Sequence, residues 1–328
     1  MNSRQRVLKA IAGEAADRTP ARFNAAPDGQ TRRIARGLGI ASDNGWYDKL
    51  HARLAIDMRI VDADVSGADY GGDHMNLAAA ESPADADRLW PAKFEAGNRT
   101  FDPAIRQVEG WDRGGNPPAV QVRLNSLFGL LRRMRGDTLA CMDLADASPL
   151  FVHTMDRIEA FNAAVIDKAF DAFGDRLDIV YLADELGMQS GLMYSPESIR
   201  AHLFPRFGRL FARVHARGGK VFFHSCGAIA PLIHELIGLG VDILNPIQPR
   251  LPGMEPEQLA AAHGGRVCFC GGMDMQHLMP QGTLDEIQAE VARYCRVLAP
   301  GYILDLANIL HPDIPDTNVI ALYTAPRS

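Results

Sequence analysis

Residues 196–246 read PESIRAHLFPRFGRLFARVHARGGKVFFHSCGAIAPLIHELIGLGVDILNP, a stretch in which a helical pattern and a strand-like pattern alternate twice. Within 196–216, apolar residues recur at the three- and four-residue spacing of an amphipathic helix. Short apolar runs at 220–224 and 241–246 each follow a glycine, a residue that suits the C-terminal end of a helix. A helix that joins two such strands predicts a right-handed crossover and therefore parallel strands.

The same alternation runs along most of the chain. The strand candidates are 22–24, 54–61, 119–125, 177–184, 220–224, 241–246, 267–271 and 302–306. Eight strands with intervening helices predict an α/β fold, a single (β/α)8 TIM barrel over residues 1–328, with an open doubly wound sheet as the alternative. Residues 64–118 break the alternation and are rich in Gly, Asp and Pro, so we expect a long insertion after the second strand that lies over one barrel end.

Composition excludes several classes of protein. The chain has 328 residues, with 34 basic and 40 acidic side chains and a net charge of −6, which argues against nucleic acid and against an anionic membrane surface. Its short basic run at 132–135 is typical of a solvated helix end. No apolar run has the length of a membrane span, and residues 1–20 contain no signal-peptide core, so we expect no membrane partner. Five cysteines, an odd and sparse set, favour reduced thiols in a cytoplasmic protein.

Polar side chains collect after the predicted strands, which in a barrel is the catalytic face. Asp184 and Glu185 form a carboxylate pair there, and we expect them to be catalytic as a general acid or base. The residues predicted to bind a small-molecule substrate are Arg22, Asn24, Arg123, Asn245, Gln248, Asp274, Asn308 and His311. Among these, the arginines suit a substrate that carries carboxylates.

His224 and Cys226 end the fifth predicted strand as a His-x-Cys pair that can direct both side chains into the barrel mouth. Imidazole and thiolate are typical zinc ligands, and a catalytic zinc needs a third protein ligand. Cys270, at the end of the seventh predicted strand, is the best placed third donor, with Cys268 and Asp184 as alternatives. Two other interpretations stay open for Cys226, a thiol that only packs in the core and a reactive thiol paired with His224.

Short segments distributed along nearly the whole chain resemble the uroporphyrinogen decarboxylase superfamily, which includes zinc-dependent corrinoid methyltransferases. The segments are RVL at 6–8 with Gly13, DRTP at 17–20, DELGMQ at 184–189, SPE at 195–197, HSCG at 224–227, GVDILN at 240–245, GGMD at 271–274 and PDIP at 312–315. The resemblance implies a TIM barrel, and it makes a homodimer plausible.

Comparison with the decarboxylases and with the methyltransferases indicates the branch of this superfamily to which the chain is closer. The decarboxylases carry an arginine-rich substrate signature at the first strand, where this chain keeps only Arg22. The methyltransferases bind zinc through a His-x-Cys and a later Cys; His224 and Cys226 match the first part, but the later position falls near Asn308, where there is no cysteine. The chain is therefore closer to the methyltransferase-like branch, and Cys270 is our inference for the missing donor.

Three functions follow as hypotheses. The first is a methyltransferase-like enzyme in which zinc activates a thiol that accepts a methyl group, with the donor a corrinoid on a partner protein or another methyl donor. The second is a metal-independent decarboxylase that acts on a carboxylated substrate. The third is a non-catalytic binding barrel, which the many polar side chains after the strands argue against.

Overall fold

The computed structural model describes residues 1–25, 28–62, 64–65, 75–95 and 99–327. The chain forms two compact units. The first unit comprises Met1–Arg59, Trp111–Ala119 and Asp242–Ser328, and the second comprises Ile60–Gly110 and Val120–Val241. A single domain over 1–328 stays a prediction.

The strands of the described chain are short. They are β1 (Met58–Asp62), β2 (Asp64–Val65), β3 (Arg99–Thr100), β4 (Ala119–Arg123), β5 (Ile179–Ala183), β6 (Gly187–Met188), β7 (Gly191–Leu192), β8 (Lys220–His224), β9 (Ile243–Ile247), β10 (Cys268–Gly271) and β11 (Tyr302–Ile303).

Helices precede or follow most of these strands. The α-helices are α1 (Ser3–Ile11), α2 (Gly29–Gly37), α3 (Trp46–Arg53), α4 (Pro83–Leu89), α5 (Asp102–Arg113), α6 (Phe128–Arg135), α7 (Asp137–Asp146), α8 (Pro149–Phe173), α9 (Pro196–Ser198), α10 (Phe204–Ala216), α11 (Ala230–Leu239), α12 (Pro256–His263), α13 (Leu278–Gln281), α14 (Leu284–Leu298) and α15 (Asp316–Thr324). Short 3-10 turns occur at Ala92–Phe94 and Gly174–Arg176, and a π-helical turn, Ile199–Leu203, precedes α10. Within the described ranges, no helix is both long and apolar enough to cross a membrane.

The second unit confirms the predicted alternation of helices and parallel strands. Strand β5 pairs in parallel with β4 on one side and with β8 on the other. Helix α8 connects β4 to β5, and α10 precedes β8. The apolar face of α10 packs its phenylalanines against Phe223 of β8, with Phe207 and Phe211 at ring distances of 5.2 and 5.9 Å. This packing fixes the end of β8, where His224 lies.

The first unit also contains parallel strands, β9, β10 and β11 in that order. The strand predicted at 22–24 is reduced to a single parallel bridge between Ala21 and Leu304. Pro20 precedes that bridge and has no N–H to donate, which limits the pairing on that side. The α/β fold with parallel strands is thus confirmed, whereas a closed barrel of eight strands stays a prediction.

The segment predicted as an insertion, 64–118, is more regular than its sequence suggests. Its described part holds α4, a 3-10 turn, the antiparallel pair β2–β3 and the twelve-residue helix α5. Helix α5 leads to β4, so the alternation of helix and strand resumes inside the segment; Pro103 and Gly110 obscure its period in the sequence. Residues 63, 66–74 and 96–98 lie outside the described residues, and placement over a barrel end stays a prediction.

Candidate metal centre

Three side chains of the second unit bring potential metal ligands together. One ligand atom each from Glu185, His224 and Cys226 lies within 4.8 Å of the other two, and within the described ranges this is the only such group of three or more His, Cys, Asp or Glu residues. His224 ends β8 and Cys226 follows two residues later, while Glu185 follows β5, whose last residue Ala183 pairs with His224. We call these three residues the ligand trio.

Close contact between two loops fixes the ligand trio. The loop after β5 approaches the loop after β8 so closely that a Cβ added at Gly227, whose φ is +97°, would lie 2.2 Å from the carbonyl carbon of Gly187. The Leu186 N–H donates to the buried hydroxyl of Ser225 at 3.0 Å. The Cys226 N–H donates to Glu185 Oε2 at 2.8 Å, so the carboxylate of one loop is bound to the backbone of the other.

The Cys226 thiol and the Glu185 carboxylate both lie close to the same nitrogen atom of His224. His224 Nε2 lies 3.4 Å from Cys226 Sγ and 3.7 Å from Glu185 Oε1. A Cys–His–carboxylate relay would use the two ring nitrogens for different partners. Here the thiol and the carboxylate both face Nε2, an arrangement that is also compatible with a shared cation.

The donor set and its spacing suit zinc. Ligand atoms of a tetrahedral zinc, about 2.0–2.3 Å from the metal, lie roughly 3.3–3.8 Å apart. Both distances from His224 Nε2 fall in that interval. One nitrogen, one sulfur and one oxygen donor leave a fourth position open, as catalytic zinc sites do.

The surroundings shift the pKa values of the two acidic groups of the trio in opposite directions. Burial raises the pKa of the Glu185 carboxyl, but the hydrogen bond and charge of His224 and the Cys226 amide lower it by more, so the net pKa is below its ordinary value. Burial raises the pKa of the Cys226 thiol to about 12, and the neighbouring Glu185 charge adds to that effect. In the absence of a cation, the carboxylate is therefore ionised and the thiol protonated at neutral pH.

Asp184 precedes Glu185 in the chain, but its carboxylate contacts a different backbone segment. Its Oδ2 accepts the N–H groups of Leu127 and Phe128 at 3.0 and 2.8 Å, and its Oδ1 accepts the N–H of Gly129 at 2.8 Å. Complete burial raises the pKa of this carboxyl to about 6 although the three amides lower it. The predicted catalytic role of Asp184 stays a prediction, and its oxygens are occupied by backbone amides at the start of α6.

Two cavities of the second unit adjoin these residues and share Ser126, Arg133 and Ala183. The first has a volume of about 630 Å³ and is lined by Met75, Ser126, Gly129, Arg132, Arg133, Gly136, Asp137, Ala183, Asp184 and Glu185. The second, about 430 Å³, is lined by Asp62, Arg99, Arg123, Leu124, Asn125, Ser126, Arg133, Val165 and Ala183. Arginine side chains line both cavities, but the larger one also has three carboxylates against its two arginines. The smaller one has three arginines against one carboxylate, so it favours an anionic ligand.

Of the predicted substrate-binding residues, Arg123 lies in the second unit. Its guanidinium forms a bidentate pair with Asp62, with Nε–Oδ1 2.7 Å and Nη2–Oδ2 2.6 Å, at the edge of the smaller cavity. This location is compatible with binding a carboxylate, although a substrate must compete with Asp62.

The other predicted substrate residues and Cys270 belong to the first unit. Arg22 is buried and its Nη1 lies 2.6 Å from Asp305 Oδ2. Cys270 is completely buried, and its backbone carbonyl accepts the Nδ2 of Asn245 at 3.1 Å. Burial, with the Asp305 charge, holds the pKa of the Cys270 thiol well above its ordinary range. Cys270 is not a member of the ligand trio, and as a metal ligand it stays a prediction.

The remaining predicted residues make hydrogen bonds or ion pairs within the first unit. The Asn24 carbonyl accepts the Leu310 N–H, Asp274 Oδ1 accepts the Gln276 N–H, Asn308 Oδ1 accepts the Ile309 N–H, His311 Nδ1 lies 2.7 Å from Asp313 Oδ1, and the Gln248 carbonyl accepts the Leu251 N–H. Substrate binding by these residues stays a prediction.

Sequence reasoning found Arg123 but missed Arg99, Arg132 and Arg133, the other arginines that line the cavities. Arg132 and Arg133 belong to the run read as a solvated helix end, yet they line the larger cavity. Arg135 of the same run is buried and donates to the carbonyls of Leu77 and Ala80 at 2.8 and 2.7 Å. The available signal for these cavity residues was a helix rich in arginine that follows a predicted strand.

Residues 132–328 match the family model of uroporphyrinogen decarboxylase (URO-D). No curated protein sequence matches the chain. Among solved structures, a methyltransferase from Methanosarcina mazei has a TM-score of 0.70 and 18% identity, over 99% of this chain and 98% of that one. A glycosylated endo-β-1,4-xylanase of glycoside hydrolase family 10 from Gloeophyllum trabeum has a TM-score of 0.47 and 11% identity, over 96% and 99%. The likeness to the methyltransferase establishes the fold.

Proposed function

Because this chain belongs to the uroporphyrinogen decarboxylase family, we propose that it is a methyltransferase-like enzyme of that family in which zinc activates a thiol to accept a methyl group. The observation that supports a metal most strongly is that the Cys226 thiol and the Glu185 carboxylate both face His224 Nε2 at the spacing of zinc ligands. The fold shared with the Methanosarcina mazei methyltransferase is consistent with this activity.

In this proposal the ligand trio holds the metal, and Glu185 takes the third position for which Cys270 was predicted. Bound there, zinc would lower the pKa of an acceptor thiol and so favour the nucleophilic thiolate at neutral pH. The Cys226 N–H fixes Glu185 Oε2, which leaves Oε1, the oxygen nearer His224 Nε2, for the metal.

The larger cavity is the proposed place for the acceptor, because Glu185 lines it. The proposed methyl donor is a methylcorrinoid on a partner protein. The sulfur–carbon bond forms as the cobalt–carbon bond breaks, both electrons of that bond stay on the corrinoid cobalt, and the thiol proton passes to solvent. The closed barrel stays a prediction, as does substrate binding by Asn245, Gln248 and Asn308.

Methylcobalamin and a set of small thiols test this activity directly. We expect the zinc-loaded chain to demethylate methylcobalamin in the presence of a thiol, followed by the change in corrinoid absorbance. Removal of zinc with a chelator should abolish the reaction and added zinc should restore it. A rate that is the same with and without zinc would contradict the proposal.

Zinc affinity should rise with pH. The Cys226 thiol, whose pKa is raised to about 12, is protonated at neutral pH, and zinc must displace that proton, whereas Glu185 is already ionised. Binding therefore releases one thiol proton, and the association constant should rise about tenfold per pH unit between pH 7 and 9. Chelator competition at several pH values measures this slope. Cys226→Ser should flatten it, and an equally steep slope in that variant would assign the proton to another group.

The arginine-lined smaller cavity favours a second candidate function, metal-independent decarboxylation of a carboxylated substrate. Arg99, Arg123 and Arg133 would bind the carboxylates, with no part for Cys226. Carbon dioxide release from porphyrinogens and smaller carboxylated pyrroles tests it. If this function is correct, Arg133→Met should reduce turnover at least tenfold while Cys226→Ser leaves it unchanged; dependence on Cys226 would favour the methyltransferase instead.

A further inference from the structure

The amino-terminal end of α6 is capped from a distant part of the chain. Leu127, which precedes the helix, provides no side-chain hydrogen bond to it. Free N–H groups at a helix start are usually satisfied by a local Ser, Thr, Asp or Asn. Here the carboxylate of Asp184, more than fifty residues away in sequence, accepts three of them, from Leu127, Phe128 and Gly129.

Gly129 permits the close approach of the loop after β5 to the start of α6. A Cβ at this position would lie 2.5 Å from Ser126 Oγ and 3.5 Å from Asp184 Oδ1. A larger residue would therefore crowd the turn that presents its N–H to Asp184. The carboxylate and the glycine together set the distance between the β5 loop and α6.

This contact joins two walls of one cavity. Asp184 is followed in the chain by Glu185, a member of the ligand trio, and α6 carries Arg132 and Arg133 along the cavity that Glu185 lines. Arg132 is held further along by Asp137 at 2.8 Å and by the Tyr194 hydroxyl at 3.2 Å. The buried carboxylate of Asp184 thus links the start of the arginine-bearing helix to the loop that carries Glu185.

We propose that Asp184 is a positioning residue that holds the arginine-bearing helix α6 at a fixed place relative to Glu185. In this role both oxygens of Asp184 accept hydrogen bonds from backbone amides. The acid–base role expected from the sequence stays a separate prediction. The inference rests on the proposed function for the identity of the metal, but the contact with α6 does not.

Amide hydrogen exchange in the zinc-free chain tests the contact. Asp184→Ala should speed exchange at Leu127, Phe128 and Gly129 at least tenfold, because three hydrogen bonds are lost. Asp184→Asn should give an intermediate rate, because the amide oxygen still accepts whereas its NH2 group cannot. If Asp184→Ala fails to fold, the exchange rates of Asp184→Asn provide the test instead. Asp171→Asn is the matched control, since it removes an exposed carboxylate of the second unit that pairs with Arg217 rather than with α6.

A cobalt-substituted chain separates positioning from a purely structural role. With Co²⁺ at the ligand trio, the thiolate-to-cobalt absorption reports the geometry at Cys226. We expect Asp184→Ala and Asp184→Asn to bind one Co²⁺ with an altered band, and Asp171→Asn to keep the wild-type band. Unchanged bands in both Asp184 variants, or wild-type exchange rates at the three amides, would overturn the inference. If the wild type binds no Co²⁺, the proposed function fails, and the exchange rates alone decide the positioning role.

Discussion

Cys226→Ser is expected to weaken zinc binding by about 10²–10³-fold. Zinc sites in small domains bind with roughly 10–16 kcal/mol, which divides into about 3–4 kcal/mol for each ligand. The serine hydroxyl is a far poorer donor to zinc than a thiolate, so nearly the whole contribution of one ligand is lost. Competition with a chromophoric chelator at pH 7.5 measures the change, and His224→Ala should give a loss of similar size.

Cys141→Ser is the matched control for this experiment. Cys141 is an exposed free thiol of the second unit and is not part of the ligand trio. Its replacement should leave zinc affinity within about twofold of the wild type. If Cys226→Ser also kept wild-type affinity while remaining folded, zinc would have to bind elsewhere and the ligand trio would lose its role.

Gly227→Ala is expected to destabilise the fold by about 3 kcal/mol or more and to disrupt the ligand trio. The backbone at this position has φ +97°, and the added Cβ would lie 2.2 Å from the carbonyl carbon of Gly187 and 2.5 Å from the Met188 nitrogen. These are backbone atoms of the opposing loop, so relief requires the two loops to separate. Because the Cys226 N–H binds Glu185 across that contact, separation should also reduce zinc affinity.

Gly218→Ala distinguishes the effect of steric overlap with the opposing loop from the effect of a positive φ. Gly218 also has a positive φ, +81°, but no atom lies within 4 Å of the Cβ it would gain. It should cost about 1–2 kcal/mol and leave zinc affinity unchanged. Chemical denaturation and chelator competition on both variants give the comparison. Equal effects of the two substitutions on zinc affinity would show that the loop contact does not shape the site.

The sequence was sufficient for the parts of the fold that depend on local pattern. Strand β8 has its predicted bounds, Lys220–His224, because an amphipathic helix and two glycines define its start and the polar HSCG segment defines its end. Helix α5 was not predicted because Pro103 and Gly110 interrupt the helical spacing of its apolar residues. The strand at 22–24 was overestimated, since its pairing depends on Leu304, nearly three hundred residues away.

The candidate site was predicted in part for similar reasons. Parallel strands end at one edge, so the residues after β5 and β8 were expected to meet, and Glu185, His224 and Cys226 do so. Spacing alone does not reveal which of two adjacent carboxylates faces the metal ligands. Asp184 binds three amides at the start of α6, whereas Glu185 binds the Cys226 N–H, and no sequence motif marks those three amides.

The central claim is that the ligand trio binds zinc, and a crystal of the zinc-incubated chain measured on both sides of the zinc absorption edge tests it most directly. The account predicts one anomalous peak per chain, about 2.0–2.3 Å from His224 Nε2, Cys226 Sγ and a Glu185 carboxylate oxygen. Elemental analysis of the same preparation should give one zinc per chain. A chain that takes up no zinc near neutral pH, or whose anomalous peak lies away from these three residues, would contradict it.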